Sequence, residues 1–202
     1  MAGAAIEDED LLIAVLNSAP VVDGRPTDTL REPGAAERLR PFGGRGTAQE
    51  NEQVRRVRDA LHPLIRGGSP GTGVLADVLD RVRLRPTVSP AGVSWQLEAA
   101  PDEELAVRVV LAWSRVVTEL PGRLRPCANG ECNLFLVDRS RPGTARWCSM
   151  AACGNRMKAR THARKRRACS FSCAVPRPPN GRSRSAAPGS RSVSVGRPST
   201  TG

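Results

Sequence analysis

The chain has 202 residues, 39% of them hydrophobic but only 3% aromatic, with no tyrosine and a formal net charge of +11. That length suits one modest domain with an appendage and is enough to bury a real core. No apolar stretch approaches the roughly 20 residues of a membrane span, and Glu7-Asp8-Glu9-Asp10 is unlike the basic start of a signal peptide, so we expect a cytoplasmic protein with no membrane partner.

The charge is unevenly placed. Residues 1–120 carry 14 Lys+Arg against 18 Asp+Glu, residues 121–167 carry 12 against 2, and residues 168–202 carry 5 against none. An acidic front joined to a basic back places any polyanion-binding surface in the C-terminal third. Three segments follow: an α+β, helix-rich front over 1–120, a cysteine-bearing module over 121–167, and a tail over 168–202.

In the front, Leu11, Leu12, Val15 and Leu16 recur at helical spacing, which predicts a helix over 6–18 that Pro20 ends. A turn-rich loop follows, then a short helix from Pro33 to about Arg40. Thr47 with Glu50 three residues on is a capping-box signature, and Val54, Val57, Leu61, Leu64 and Ile65 mark the buried face of the helix it opens. The other face, with Arg55, Arg56, Arg58 and Asp59, is expected to be solvated surface.

Residues 74–82 predict another turn or two of helix. The apolar period then changes to two: Leu84 and Val88, then Val93, Trp95 and Leu97, flank Ser89-Pro90-Ala91-Gly92 and predict a hairpin with Pro86 on an edge. Pro101-Asp102 opens the longest helix, striped by Leu105, Val109, Ala112, Trp113, Val116 and Leu120, and Pro121-Gly122 stops it. No acid–base pair, phosphate-cradling glycine loop or nucleophile elbow appears here, and His62 lacks telling neighbours, so no enzyme is expected.

Cys127 and Cys132 are separated by four residues, Cys148 and Cys153 by four, and the pairs by fifteen. Short gaps let one turn aim two thiolates at the same ion, and the longer gap accommodates a returning hairpin. Reduced cytoplasmic thiols favour metal over disulfides. The spacing predicts one structural Zn2+ held by Cys127, Cys132, Cys148 and Cys153, with iron the less favoured occupant. A treble-clef-like arrangement is expected, made of a knuckle turning at Asn129-Gly130, strands at Arg123–Arg125, Leu134–Val137 and Ala145–Trp147, and a helix from about Met150 to Arg167 capped by Ser149. Leu134, Phe135 and Trp147 are expected to cover the metal.

Four thiolates leave zinc no open position, so function should lie on the surface it organises. That surface is the helix with Arg156, Lys158, Arg160, Arg164, Lys165, Arg166 and Arg167. Arg156, Arg160, Arg164 and Arg167 fall three or four apart, a stripe able to follow phosphates, and duplex DNA is favoured over single-stranded RNA because stacking aromatics are scarce. The tail from Ala168 is Ser/Pro/Arg/Gly-rich and expected to be disordered, with Cys169 and Cys173 as free thiols.

The segment Cys127 to Arg167, with Trp147-Cys148-Ser149-Met150 and Cys153-Gly154-Asn155-Arg156, closely resembles the CGNR zinc finger of bacterial proteins. Residues 11–120, with Leu16-Asn17-Ser18 and Asp28-Thr29-Leu30, resemble the ABATE domain, associated with stress-induced transcription regulation. The resemblance implies a zinc-dependent DNA-binding transcription regulator, nucleoid-associated when bound. Its front half would sense a small-molecule effector or form a homodimer, and Gly154 and Asn155 would join Trp147 and Phe135 in supporting the finger. The alternative is a zinc-stapled interaction module whose arginines meet an acidic protein partner.

Overall fold

A computed structural model describes residues 2–68 and 71–172, with side chains described over 8–68 and 71–166. Met1–Ala163 forms one compact unit, and a second begins at Arg164. In chain order the elements are α1 (Ala2–Leu16), β1 (Val21–Val22), β2 (Arg25–Pro26), α2 (Ala35–Leu39) running into a 3-10 turn at Arg40–Phe42, α3 (Ala48–Ile65), α4 (Thr72–Leu79), β3 (Arg83–Ser89), β4 (Gly92–Glu98), α5 (Glu104–Glu119), β5 (Leu124–Pro126), β6 (Phe135–Val137), a π-helical turn at Met150–Gly154, and α6 (Asn155–Ser172). The strands make three separate antiparallel pairs, β1–β2, β3–β4 and β5–β6.

The apolar stripes account for the core. Leu11, Leu12, Val15 and Leu16 of α1 meet Val54, Val57 and Leu61 of α3 and Leu105, Val109, Ala112 and Val116 of α5, all fully buried or nearly so. Thr47 caps α3 as its spacing predicts, its hydroxyl accepting the Glu50 amide at 3.0 Å and donating to Asp102 at 2.8 Å. Glu50 departs from the usual box. Its buried carboxylate accepts the amides of Arg45 (3.1 Å) and Gly46 (2.8 Å), which pins the loop entering the helix. Thr47→Ala should therefore lower stability by about 1 kcal/mol, read by thermal or urea melts.

The polar side of α3 corrects the sequence reading. Arg58 is 3% exposed, and its guanidinium donates to both Asp28 oxygens at 2.7 and 2.8 Å, to Ser18 Oγ at 2.9 Å and to Asp59 at 2.9 Å. It is a buried strut between α3 and the loop after α1, because the carboxylate that makes its burial tolerable lies 30 residues away. Arg55 is also largely covered, while Arg56 reaches Asp77 at 2.9 Å.

The core does not stop at residue 120. Leu124 and Phe135, from the cysteine-bearing segment, belong to the same buried cluster as α1, α3 and α5. Phe135, 1% exposed, lies 4.7 Å from the His62 ring, and the Arg66 guanidinium sits 4.3 Å above its centroid. The Asn17 carboxamide clamps the Phe135 backbone from both sides, accepting its N–H at 2.7 Å and donating to its carbonyl at 3.2 Å. Asn133 donates to the Ala19 carbonyl at 2.9 Å, and Arg139 pairs with Glu9 of α1. Phe135 is thus a member of the main core and not a separate lid over the metal.

α6 continues to Ser172, so the backbone at 168–172 is helical where a structureless tail was expected. The rest of that expectation, with Cys173, lies outside the described residues, as does the side chain of Cys169.

Candidate metal centre

The first cysteine pair is presented by the loop between β5 and β6. These strands pair Leu124 with Val137 and Pro126 with Phe135, so Cys127 leaves the end of β5 and its amide donates to the Leu134 carbonyl at 2.8 Å. The knuckle turn is not made by left-handed backbone at Asn129-Gly130, since neither residue has a positive φ. The buried Asn129 makes it instead: its side-chain oxygen accepts the Glu131 amide at 3.3 Å and its carbonyl accepts the Cys132 amide at 2.8 Å.

The expected returning strand at Ala145–Trp147 does not form. Asp138, 1% exposed, gathers the intervening loop onto its carboxylate: Oδ1 accepts the Ser140 amide (2.9 Å) and hydroxyl (2.6 Å), and Oδ2 accepts the Ala145 amide (2.9 Å) and Arg125 (2.8 Å). The Ser140 bonds, which outweigh burial, hold this carboxyl below the usual carboxylate range. Ser140 and Ala145 thus spend their amides on a side chain, and the backbone bond from Ala128 N–H to the Arg146 carbonyl (2.8 Å) ties the second segment to the knuckle. Arg125 is engaged here with Asp138 and the Gly143 carbonyl.

Cys148 and Cys153 flank the Ser149 cap, whose hydroxyl accepts the Ala152 amide at 3.2 Å, as predicted. The turn it opens is π-helical, closed by Gly154 N–H to the Ser149 carbonyl at 3.0 Å. A β-carbon at Gly154 would stand 2.7 Å from Met150 Sδ and 3.4 Å from Trp147 Cδ1, so a larger residue here would displace the Met150 side chain that packs over it. Asn155 is exposed and opens α6.

The four Sγ atoms of Cys127, Cys132, Cys148 and Cys153 lie within 4.8 Å of one another. Cys148 Sγ is 3.7 Å from Cys132 Sγ and 3.7 Å from Cys153 Sγ. Tetrahedral zinc–thiolate bonds of about 2.3 Å place neighbouring sulfurs about 3.75 Å apart, whereas a disulfide needs about 2.05 Å. The donor set and spacing therefore fit one structural zinc. Two N–H groups serve the sulfurs from outside: Cys148 N–H points to Cys127 Sγ and Asn129 Nδ2 to Cys153 Sγ, each at 3.5 Å. Burial pushes the Cys132 and Cys148 thiols up, while hydrogen bonds from Asn129 and the neighbouring thiols carry Cys153 down against its own burial. A divalent cation compensates such a cluster.

Beyond the cysteines, α6 carries the expected basic residues to solvent. Arg156, Lys158 and Arg160 are exposed in the first unit, as are Arg164, Lys165 and Arg166 in the second; the side chain of Arg167 lies outside those described. Arg160 is held by Glu131 of the knuckle at 2.7 Å. A cleft of about 430 Å³ opens beside the helix, lined by Arg146, Trp147, Gly154, Met157, Lys158 and His162, with the Arg146 guanidinium 5.2 Å above the Trp147 ring. The sequence marks Asn129 only as a turn residue and does not single out Asp138. The Asn129-to-Glu131 and Asp138-to-Ser140 spacings, each an Asx turn, were the available signal.

Among the described residues no helix is long and apolar enough to cross a membrane. A comparison with curated proteins gives no match. Residues 123–167 match the family model of the CGNR zinc finger, in agreement with the resemblance and with the four clustered thiols.

Proposed function

We propose that the protein is a zinc-dependent, duplex-DNA-binding transcription regulator acting in the bacterial cytoplasm. The observation that carries this reading is the exposed basic surface of α6, mounted directly on the zinc site, with Arg156, Lys158 and Arg160 outward and Arg160 paired with Glu131. Zinc fixes where the helix starts, Arg156 and Lys158 take phosphates, and Arg164 to Arg167 extend the basic run. The helical front, read as ABATE-like, senses an effector or pairs two chains. One short helix reads only about three or four base pairs, so useful specificity calls for two copies.

If about four to six cations meet phosphates, log–log plots of duplex affinity against salt should have a slope of about −4 to −5, and Lys158→Ala should reduce it by about one. Cys148→Ser should abolish zinc retention and duplex binding together. A variant that still binds duplex like the parent would remove the finger from the reading.

The Arg160–Glu131 pair favours a second reading, in which the same arginines recognise carboxylates of an acidic protein. That reading requires capture of such a partner with no duplex retention at moderate salt. Catalysis is assigned to neither, because a four-thiolate zinc leaves no position for water or substrate.

A further inference from the structure

The β3–β4 hairpin has one wholly apolar face. The register pairs Leu84 with Leu97, Pro86 with Trp95 and Val88 with Val93, so all six side chains stand on the same side. The alternate pairs, Arg83–Glu98, Arg85–Gln96, Thr87–Ser94 and Ser89–Gly92, make the other side polar. Only Leu97 is half-buried against the core. Leu84 is 54% exposed, Trp95 63%, Val93 53% and Val88 80%. Two strands alone in water are at best marginally stable, and an exposed apolar surface of this kind marks an interaction site.

We propose that this face is the homodimer interface, in which the hairpin of one chain packs face to face on that of a second copy about a two-fold axis. Area favours this occupant. Leu84, Val88, Val93 and Trp95 leave roughly 500 Å² of apolar surface, so two faces together withdraw about 1,000 Å², the size at which a specific interface becomes credible, before Pro86 or any flanking contact is counted. Charge favours it as well: the face carries none, so a second identical face meets no repulsion and buries no ion. A two-fold pairing is self-complementary by construction, with Trp95 as the aromatic anchor of each half. β3 also carries Pro86, which lacks the N–H a neighbouring strand would need, and this disfavours edge-to-edge growth of the sheet.

The interface would supply the second copy that the DNA-binding reading calls for, but its support is the hairpin alone. The test is sedimentation equilibrium of the full, zinc-loaded chain without DNA, up to about 100 µM. A two-chain mass is expected. Trp95→Glu with Val88→Glu should raise the dimer dissociation constant by roughly 100-fold or more, while Thr87→Glu with Ser94→Glu, on the polar face, should leave the mass unchanged. Zinc content of one per chain and an unaltered far-UV spectrum would show that each variant is folded. A parent chain that stays monomeric, whether its face is open or covered by another segment of the same chain, overturns the proposal. So does a dimer that survives the apolar-face substitutions. Because no DNA is present, either result stands apart from the fate of the DNA-binding reading.

Discussion

Removing zinc from the full chain should unfold more than the finger. Structural zinc sites of this type are worth about 10–16 kcal/mol in apparent binding free energy, against a total stability of about 5–15 kcal/mol for an ordinary domain. β5 and β6 are three residues each and cannot hold themselves together. Their core-facing residues, Leu124 and Phe135, are also part of the cluster that α1, α3 and α5 bury. When the sulfurs lose their ion, Phe135 loses the strand that positions it, and Asn17, His62 and Arg66 lose the partner they were built around. Chelation is expected to lower the melting temperature by about 20 °C or more, given about 2–4 °C per kcal/mol for a chain of this size. Amide hydrogen exchange would locate the effect. Faster exchange in α1 and α3 as well as in 123–163 is the expected pattern, whereas full protection of α1 and α3 in the metal-free protein would make the finger an independent unit.

Local chemistry explains what was legible in the sequence. The Thr47 cap, the Ser149 cap, the stripe of α5 and the four-residue cysteine gaps each depend on groups within one or two turns of one another, and all appear in the structure where the sequence puts them. The misreadings depend on distant partners. Arg58 looks like a surface residue until Asp28 is placed against it, and Ala145–Trp147 looks like a strand until Asp138 collects the preceding loop. Phe135 was assigned to the metal because it lies between the cysteines, but residue 17 of α1's exit loop claims its backbone. The same distance effect gives meaning to Leu16-Asn17-Ser18 and Asp28-Thr29-Leu30: Asn17 clamps the finger strand, Ser18 and Asp28 hold Arg58, and Thr29 donates its hydroxyl to the Ser18 carbonyl at 3.0 Å. Period-two alternation found the β3–β4 hairpin but says nothing of what covers its apolar side.

Asp28→Ala is expected to produce a large loss of stability for a single polar substitution away from the cysteines. The Arg58 guanidinium would stay buried with only Ser18 and Asp59 as partners, and Asp59 is itself mostly exposed. Leaving one member of a buried pair uncompensated costs about 3 kcal/mol, so the melting temperature should fall by about 6–12 °C. Arg58→Met, which removes the buried charge and keeps the volume, should cost less, because Asp28 can then turn to water. The pair also sets a pH dependence. The hydrogen bonds from Arg58 hold the Asp28 carboxyl below its usual range despite partial burial, so its folded-state pKa lies under the unfolded one. Stability from this group is therefore fully present above about pH 4 and lost as pH falls through the lowered folded value. Thiolate protonation releases zinc in acid from parent and variant alike, which makes the difference between the two proteins the quantity to follow. That difference should be constant from neutral pH to about pH 5 and shrink below pH 4, where the parent carboxyl takes up its proton. A gap that stayed constant through the acid range would mean that Asp28 acts by packing and not by its charge on Arg58.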